Sequence, residues 1–175
     1  MSEPRHTDDA PAVHAVAAAS VAARVQFGVL DQLIGYPLRR AQLLIYEDFI
    51  RSLAEWELTP SRFSSLVIIA NNPGLKLTEL SGILAIARSG SVLLADTLAA
   101  AGLIERRPAP NDRRAWGLHL TAKGHKTLTA ASAAVVEHDQ RMTSMLTAKE
   151  RSTLRKLLRK VAAIDSTPPA DTEPA

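Results

Sequence analysis

The chain has 175 residues, 46% hydrophobic and 22% charged, with 21 Lys and Arg against 18 Asp and Glu for a formal net charge of +3. One domain's length with an ordinary apolar fraction excludes wholesale disorder. The absence of cysteine excludes a disulfide scaffold, a thiolate zinc site, an iron–sulfur cluster and thiol-based redox sensing. Aromatic residues make up only 4%, so core volume must come from Leu, Ala, Val and Ile, which suits helices better than a β-sandwich.

In chain order, residues 1–11 read as a solvated tail. Ala12–Leu30 is Ala-rich and apolar and predicts a helical extension, but its valines hold no clean stripe. It is either an extra helix packed on a partner chain or a frayed extension. His14, Ser20 and Arg24 interrupt it and Glu3, Asp8 and Asp9 precede it, so neither a signal peptide nor a membrane span is expected, and the cytoplasm is the expected location. Tyr36–Glu57, within a segment 31–57, repeats Leu38, Ala41, Ile45, Phe49, Leu53 and Trp56 at helical spacing. Thr59-Pro60 is an N-cap followed by proline at the first helical position, and Phe63, Leu66, Val67 and Ala70 form the next apolar face. Asn71-Asn72-Pro73-Gly74 stops that helix. Thr78 opens a short helix carrying Leu80, Ile83 and Leu84. After a three- or four-residue turn, Arg88–Ala101 predicts another, with Gly102 as its C′ residue.

The period then changes. Leu103–Arg106 is strand-like, Pro108–Asp112 is a turn cluster, and Trp116, Leu118 and Leu120 alternate with smaller or polar residues, which predicts a β-hairpin. Thr121 caps a helix carrying Leu128, Val135, Met142 and Met145. Thr147-Ala148-Lys149-Glu150 is a capping box for the last helix, whose Leu154, Leu157, Leu158 and Val161 are expected inward. Residues 165–175 form a Pro/Thr/Ala tail. The expected fold is mainly α with a small β-hairpin. A winged helix-turn-helix lobe (58–121) is flanked by dimerisation helices at 31–57 and 122–164.

Two short helices and a hairpin suit nucleic acid. A helix of about ten residues fits the major groove, where base edges differ, and a basic hairpin beside it reaches phosphates or the minor groove. Arg106, Arg107, Arg113, Arg114, Lys123 and Lys126 against Asp112 give +5 between Arg106 and Lys126. The remainder of the chain is therefore −2. The basic last helix needs no DNA to explain it, because a leucine stripe with a solvated cationic back suffices.

The run "LADTLAAAGLIERRPAPNDRRAWGLHLT", Leu94–Thr121, contains Asp112, Arg113 and Arg114 followed by Leu120-Thr121. It resembles the recognition helix and wing of the multiple antibiotic resistance regulator (MarR) family. "IGYPLRRAQ", Ile34–Gln42, is similar to the start of that family's first helix, and the resemblance spans about Leu33–Ile164. It implies a homodimer on a palindromic double-stranded DNA operator and a repressor released by a small aromatic ligand. It places Arg88, Ser89, Ser91, Val92, Arg113 and Arg114 at the DNA. Asp96 and Asp112 become wing-orienting residues, with Asp96 on the second wing arginine. "NPGLKLTEL" and "IARSGSVLLADTL" look closer to a subgroup sensing aromatic acids or their coenzyme A thioesters, such as hydroxycinnamoyl-CoA repressors. The sequence departs from the commoner pattern at Ala87, where a Ser or Thr cap is usual, and at Leu93, in a slot that is often basic.

Six aromatics fall between Phe27 and Phe63. Tyr36, Tyr46, Phe49 and Phe63, with Arg39, Arg40 and Arg62, are candidates to hold an anionic aromatic effector. Taken one at a time, the same aromatics also serve as core and dimer packing. No cofactor or metal is expected, because the five histidines show no ligand spacing. No enzyme is expected either. There is no P-loop, GxGxxG or nucleophile elbow, and the adjacent Glu47 and Asp48 point about 100° apart on a helix. The alternative function is a helical module whose winged helix binds protein, and salt-dependent DNA binding separates the two.

Overall fold

The computed structural model describes residues 25–109 and 112–163, with the side chains of 109 and 112–115 outside the description. The chain divides into two compact units, Met1–Leu44 and Ile45–Ala175. Most of the expected N-terminal extension, and both tails, lie outside the described residues. The described end of that extension is not α-helical. Val25–Phe27 is irregular and Gly28–Gln32 is a single 3-10 turn entered through Gly28 at φ +57°. A left-handed residue at that point ends any α-helix arriving from residue 12. In this first unit Val29, Leu33, Ile34, Leu38, Leu43 and Leu44 are all exposed, and Phe27 packs a tilted ring on Tyr36 at 5.5 Å.

Helix α1 is Gly35–Ser52. It stops short of the expected Glu57, because Ala54–Trp56 is a 3-10 turn and Glu57 adopts φ +51°. The break is silent in the pattern: residues three apart share a face in a 3-10 turn as well as in an α-helix, so Leu53 and Trp56 keep the stripe going. The stripe itself divides. Phe49 and Leu53 are buried, whereas Leu38 and Ile45 are exposed.

The second unit holds the core. Helix α2, Pro60–Asn71, starts where Thr59 Oγ1 accepts from Arg62 N at 3.3 Å, and buries Ser65, Leu66 and Ile69. Helix α3, Leu77–Ile83, begins one residue before Thr78. Lys76 is its N-cap position, and the Lys76 N–H donates to Glu79 Oε2 at 2.8 Å. Helix α4, Arg88–Ala100, starts at Ala87 without any side-chain cap. It ends in a Schellman motif: Gly102 at φ +70° donates to Ala99 O, and Leu103 N donates to Leu98 O, both at 2.9 Å. Leu98 and Leu103 are both buried at that junction.

Strands β1 (Ile104–Ala109) and β2 (Asp112–Leu120) pair antiparallel in the register Ile104–Leu120, Arg106–Leu118 and Pro108–Trp116. Leu118 and Leu120 enter the core as the alternation predicts, but Trp116 on the same face is 55% exposed, beyond the edge of the lobe. The hairpin is tied down by a third segment. Gly74 N donates to Leu118 O and Leu118 N to Leu75 O, both at 2.9 Å. A Cβ on Gly117 would lie 2.7 Å from the Gly74 backbone, so this approach requires glycine there.

Helix α5, Ala122–Met142, is capped by Thr121 Oγ1 accepting from Gly124 N at 2.9 Å. It ends before Met145, which is 94% exposed and not a core residue of the helix as its spacing suggests. Helix α6, Ala148–Val161, opens on the expected capping box, with Glu150 Oε2 accepting from Thr147 N at 2.8 Å. Its leucine stripe is not inward in this chain. Leu154, Leu157, Leu158 and Val161 are all exposed, because no described element of the same chain covers them. Among the described residues no single helix is long and apolar enough to cross a membrane.

Candidate nucleic-acid interface

The chain turns from α3 into α4 through Leu84–Ala87, with the helices bent by 112°. That is the angle range of a DNA-binding helix pair. Ala85 sits at φ +51° and its N–H donates to Gly82 O at 3.2 Å, while Ile86 N donates to Ser81 O at 3.2 Å. The end of α3 is thereby closed on its own carbonyls and α4 starts in a fixed direction. The turn is Leu84-Ala85-Ile86-Ala87, with none of the glycine expected at such a place.

Helix α4 is anchored on one side by Ser91, Ala95 and Leu98, all buried. This corrects the placement of Ser91 at the DNA. Its hydroxyl donates to Arg88 O at 2.7 Å and faces the core, one turn inside the helix. Arg88 and Ser89 are exposed in the first turn, and Val92 is exposed at 38%. These three are thus exposed on the same helix.

Asp96 is also exposed, and its Oδ1 accepts from Arg106 Nη2 at 2.6 Å. One described partner is therefore an arginine on β1, the strand that leaves α4; the side chain of Arg114, the wing arginine that the resemblance suggested, lies outside the described residues. The physical function is the same: a short charge-assisted contact ties the helix to the hairpin. Both partners are substantially exposed, so the pair orients more than it stabilises. Beside it Arg107 pairs with Glu105, and Lys123 Nζ donates to Ala101 O at 2.8 Å. Of the four cations in the basic window whose side chains are described, three thus already have partners within the chain. Arg113 and Arg114 lie on β2 by their backbone, and their side chains, like that of Asp112, lie outside the described residues.

The effector candidates fall into both units. In the first, Arg40 Nη1 donates to Tyr36 Oη at 3.2 Å, and Arg39 is exposed. In the second, Tyr46 is exposed, but Phe49 is a core residue, edge-on to Phe63 at 6.0 Å and to His138 at 5.4 Å. Its contacts are those of a core side chain. Arg62 is half-buried and Nη1 donates to Glu57 O at 2.8 Å, which fixes the guanidinium against the turn after α1.

Sequence reasoning missed a polar cluster. The Asp48 carboxylate receives Arg141 Nη2 at 2.9 Å and lies 2.7 Å from His138 Nδ1, while Arg141 also donates to Ser52 Oγ at 2.7 Å. His138 is 6% exposed in its side chain and Asp48 17%. Burial pushes the Asp48 carboxyl up, but hydrogen bonds from His138 and Arg141 and the charge on Arg141 outweigh it, leaving the group below the usual carboxylate value. The partners are 90 and 93 residues apart, so no local spacing announces them. Among the described residues no three His, Asp or Glu side chains gather as a metal site.

Comparison with known proteins agrees with this geometry. Residues 58–116 match the model of the MarR family. A protein of Thauera aromatica named as a transcriptional regulatory protein for the hcr operon is 36% identical over 150 residues, covering 85% of this chain and 90% of that one. The transcriptional repressor CouR bound to a 23-mer DNA duplex is 40% identical, with a TM-score of 0.75 over 79% of this chain and 98% of that one. CouR bound to p-coumaroyl-CoA is 37% identical, with a TM-score of 0.71 over 79% and 97% of the two chains. The match extends well beyond the DNA-binding lobe, and the chain belongs to the MarR family of winged helix-turn-helix transcriptional regulators, not to an enzyme family.

Proposed function

We propose that the protein is a homodimeric repressor of a palindromic operator, released by an aromatic acid or its coenzyme A thioester. The observation that carries the DNA half is the bent pair α3–α4, which presents Arg88, Ser89 and Val92 beside a two-stranded wing bearing Arg113 and Arg114. Arg88 takes a base edge or a phosphate at the helix start, and the wing arginines take phosphate or minor groove. The exposed leucine stripe of α6, with no cover among the described residues, supports a second copy as its partner. The likeness to CouR, which has been seen with p-coumaroyl-CoA, supports the effector class. Each unit by itself holds aromatic and cationic groups of the kind such a ligand requires, Tyr36, Arg39 and Arg40 in the first and Tyr46, Phe63 and Arg62 in the second.

The testing experiment is a titration of the full-length dimer onto the DNA upstream of its own gene at several salt concentrations. Arg113→Ala and Arg114→Ala are expected to weaken binding with the dimer intact. Each phosphate left without its arginine makes the fall of log affinity with log salt shallower by about 0.9. Unchanged affinity and slope in both variants removes the wing from the DNA. No DNA binding at any salt favours the protein-binding module instead.

The effector acts only through differential affinity. A tenfold loss of operator binding requires it to favour the DNA-incompetent form by about 1.4 kcal/mol. Aromatic acids and their CoA thioesters are expected to produce at least that loss, with free CoA, metal salts and peroxide inactive. Calorimetry and fluorescence anisotropy with this panel check it, and release by peroxide or by none of the aromatic compounds overturns the sensing half.

A further inference from the structure

Helix α4 presents Ser89, Val92, Leu93 and Asp96 at the spacing i, i+3, i+4, i+7, on the side opposite buried Ser91, Ala95 and Leu98. The middle of that outward stripe is apolar. Leu93 is 70% exposed and Val92 38%. The polar groups around it are already engaged: Thr97 Oγ1 donates to Leu93 O at 2.8 Å, and the Asp96 carboxylate is held by Arg106. At this level the helix has little left with which to exchange hydrogen bonds with base edges. The major groove contains one apolar feature, the C5 methyl group of thymine; its other edge groups are hydrogen-bond donors and acceptors. A donor or acceptor set against Leu93 loses its water and gains no partner, whereas a thymine methyl meets an apolar surface and leaves water at no polar cost.

We propose that Leu93, flanked by Val92, is a specificity-determining residue that reads thymine by packing on its methyl group in each half-site. The inference rests on the DNA-binding reading above and adds what the centre of the helix selects. A contact of this kind discriminates by shape and dryness, so it is insensitive to salt, unlike the arginine contacts.

The full-length protein first selects a duplex from a randomised pool, and each thymine of the selected site is then replaced singly by deoxyuridine, which deletes only the methyl group. At one or two positions per half-site the wild-type protein is expected to lose about fourfold in affinity, the worth of one buried methyl group. Leu93→Ala, at an exposed site and with an unchanged melting temperature, is expected to bind the thymine and deoxyuridine duplexes equally at those positions while keeping the wild-type salt slope. The proposal is overturned if no single replacement weakens wild-type binding. It is also overturned if Leu93→Ala retains the wild-type preference for thymine. Failure to select any duplex sinks the DNA-binding reading itself, which is a distinct result.

Discussion

Gly124→Ala is expected to destabilise the protein by about 3 kcal/mol, although alanine in a helix normally gains about 1 kcal/mol over glycine. Gly124 is the third residue of α5. A Cβ there would lie 2.0 Å from Leu103 O and 3.3 Å from Leu120 Cγ. Its N–H is the one that Thr121 Oγ1 accepts, and the same hydroxyl donates to Gly102 O at 2.6 Å. The backbone of Leu103 cannot move aside. It leads out of the Schellman motif that ends α4, its carbonyl accepts from Thr121 N at 3.1 Å, and β1 follows at once. An added methyl group therefore pushes apart the start of α5, the end of the recognition helix and the root of the wing together. A loss of that size lowers the melting temperature by about 6–12 °C at fixed protein concentration, and operator affinity falls with it. Gly82→Ala is the control. A Cβ on Gly82 meets nothing within 4 Å, so the substitution is expected to raise the melting temperature slightly. If Gly124→Ala melts as high as wild type, the close packing at Leu103 is wrong.

Asp48→Ala is expected to cost about 2 kcal/mol at neutral pH, because it strips the acceptor from buried His138 and from Arg141 in one step. The exposure of Arg141 keeps the loss below that of a fully buried pair. Asp48→Asn keeps the shape, offers one oxygen in place of two, and is expected to fall between. The pH dependence has a fixed sign. The folded Asp48 carboxyl lies below its ordinary value, so its contribution is complete above about pH 4, the unfolded carboxylate range. It is lost as the pH falls through the folded value. The difference in stability between wild type and Asp48→Ala should thus be constant near neutrality and shrink in acid, as urea melts at several pH values would show. A gap that persists unchanged in strong acid would mean that the carboxylate charge contributes nothing there. His138→Gln together with Asp48→Ala should cost less than the sum of the singles, since the two side chains share one contact.

The two substitutions also mark the boundary between what the sequence determines and what packing decides. Local chemistry was enough for the elements that depend on nearest neighbours along the chain. Thr59-Pro60, Thr121 and the Thr147–Glu150 box each satisfy free N–H groups within three residues, so their caps could be read directly, and each is found where it was expected. The period change at Leu103 and the turn cluster before Asp112 likewise announced the hairpin, because alternation and turn propensity are properties of a few consecutive residues. Elements that depend on partners far along the chain, or on another chain, were not legible in this way. The leucine stripe of α6 is plain in the sequence, yet a stripe says only that something covers it, and among the described residues nothing does. The contacts of Phe49 with Phe63 and His138 are likewise made only by the tertiary structure. Asp96 meets Arg106 for a geometric reason that no local pattern announces, since β1 leaves directly from the end of its own helix. Ser91 and Val92 are neighbours in sequence, about 100° apart around α4, and only the docking of that helix on the core decided which of them is buried. A helix's rotation about its own axis is set by the surface it packs on, and that surface is assembled from segments that no local pattern relates.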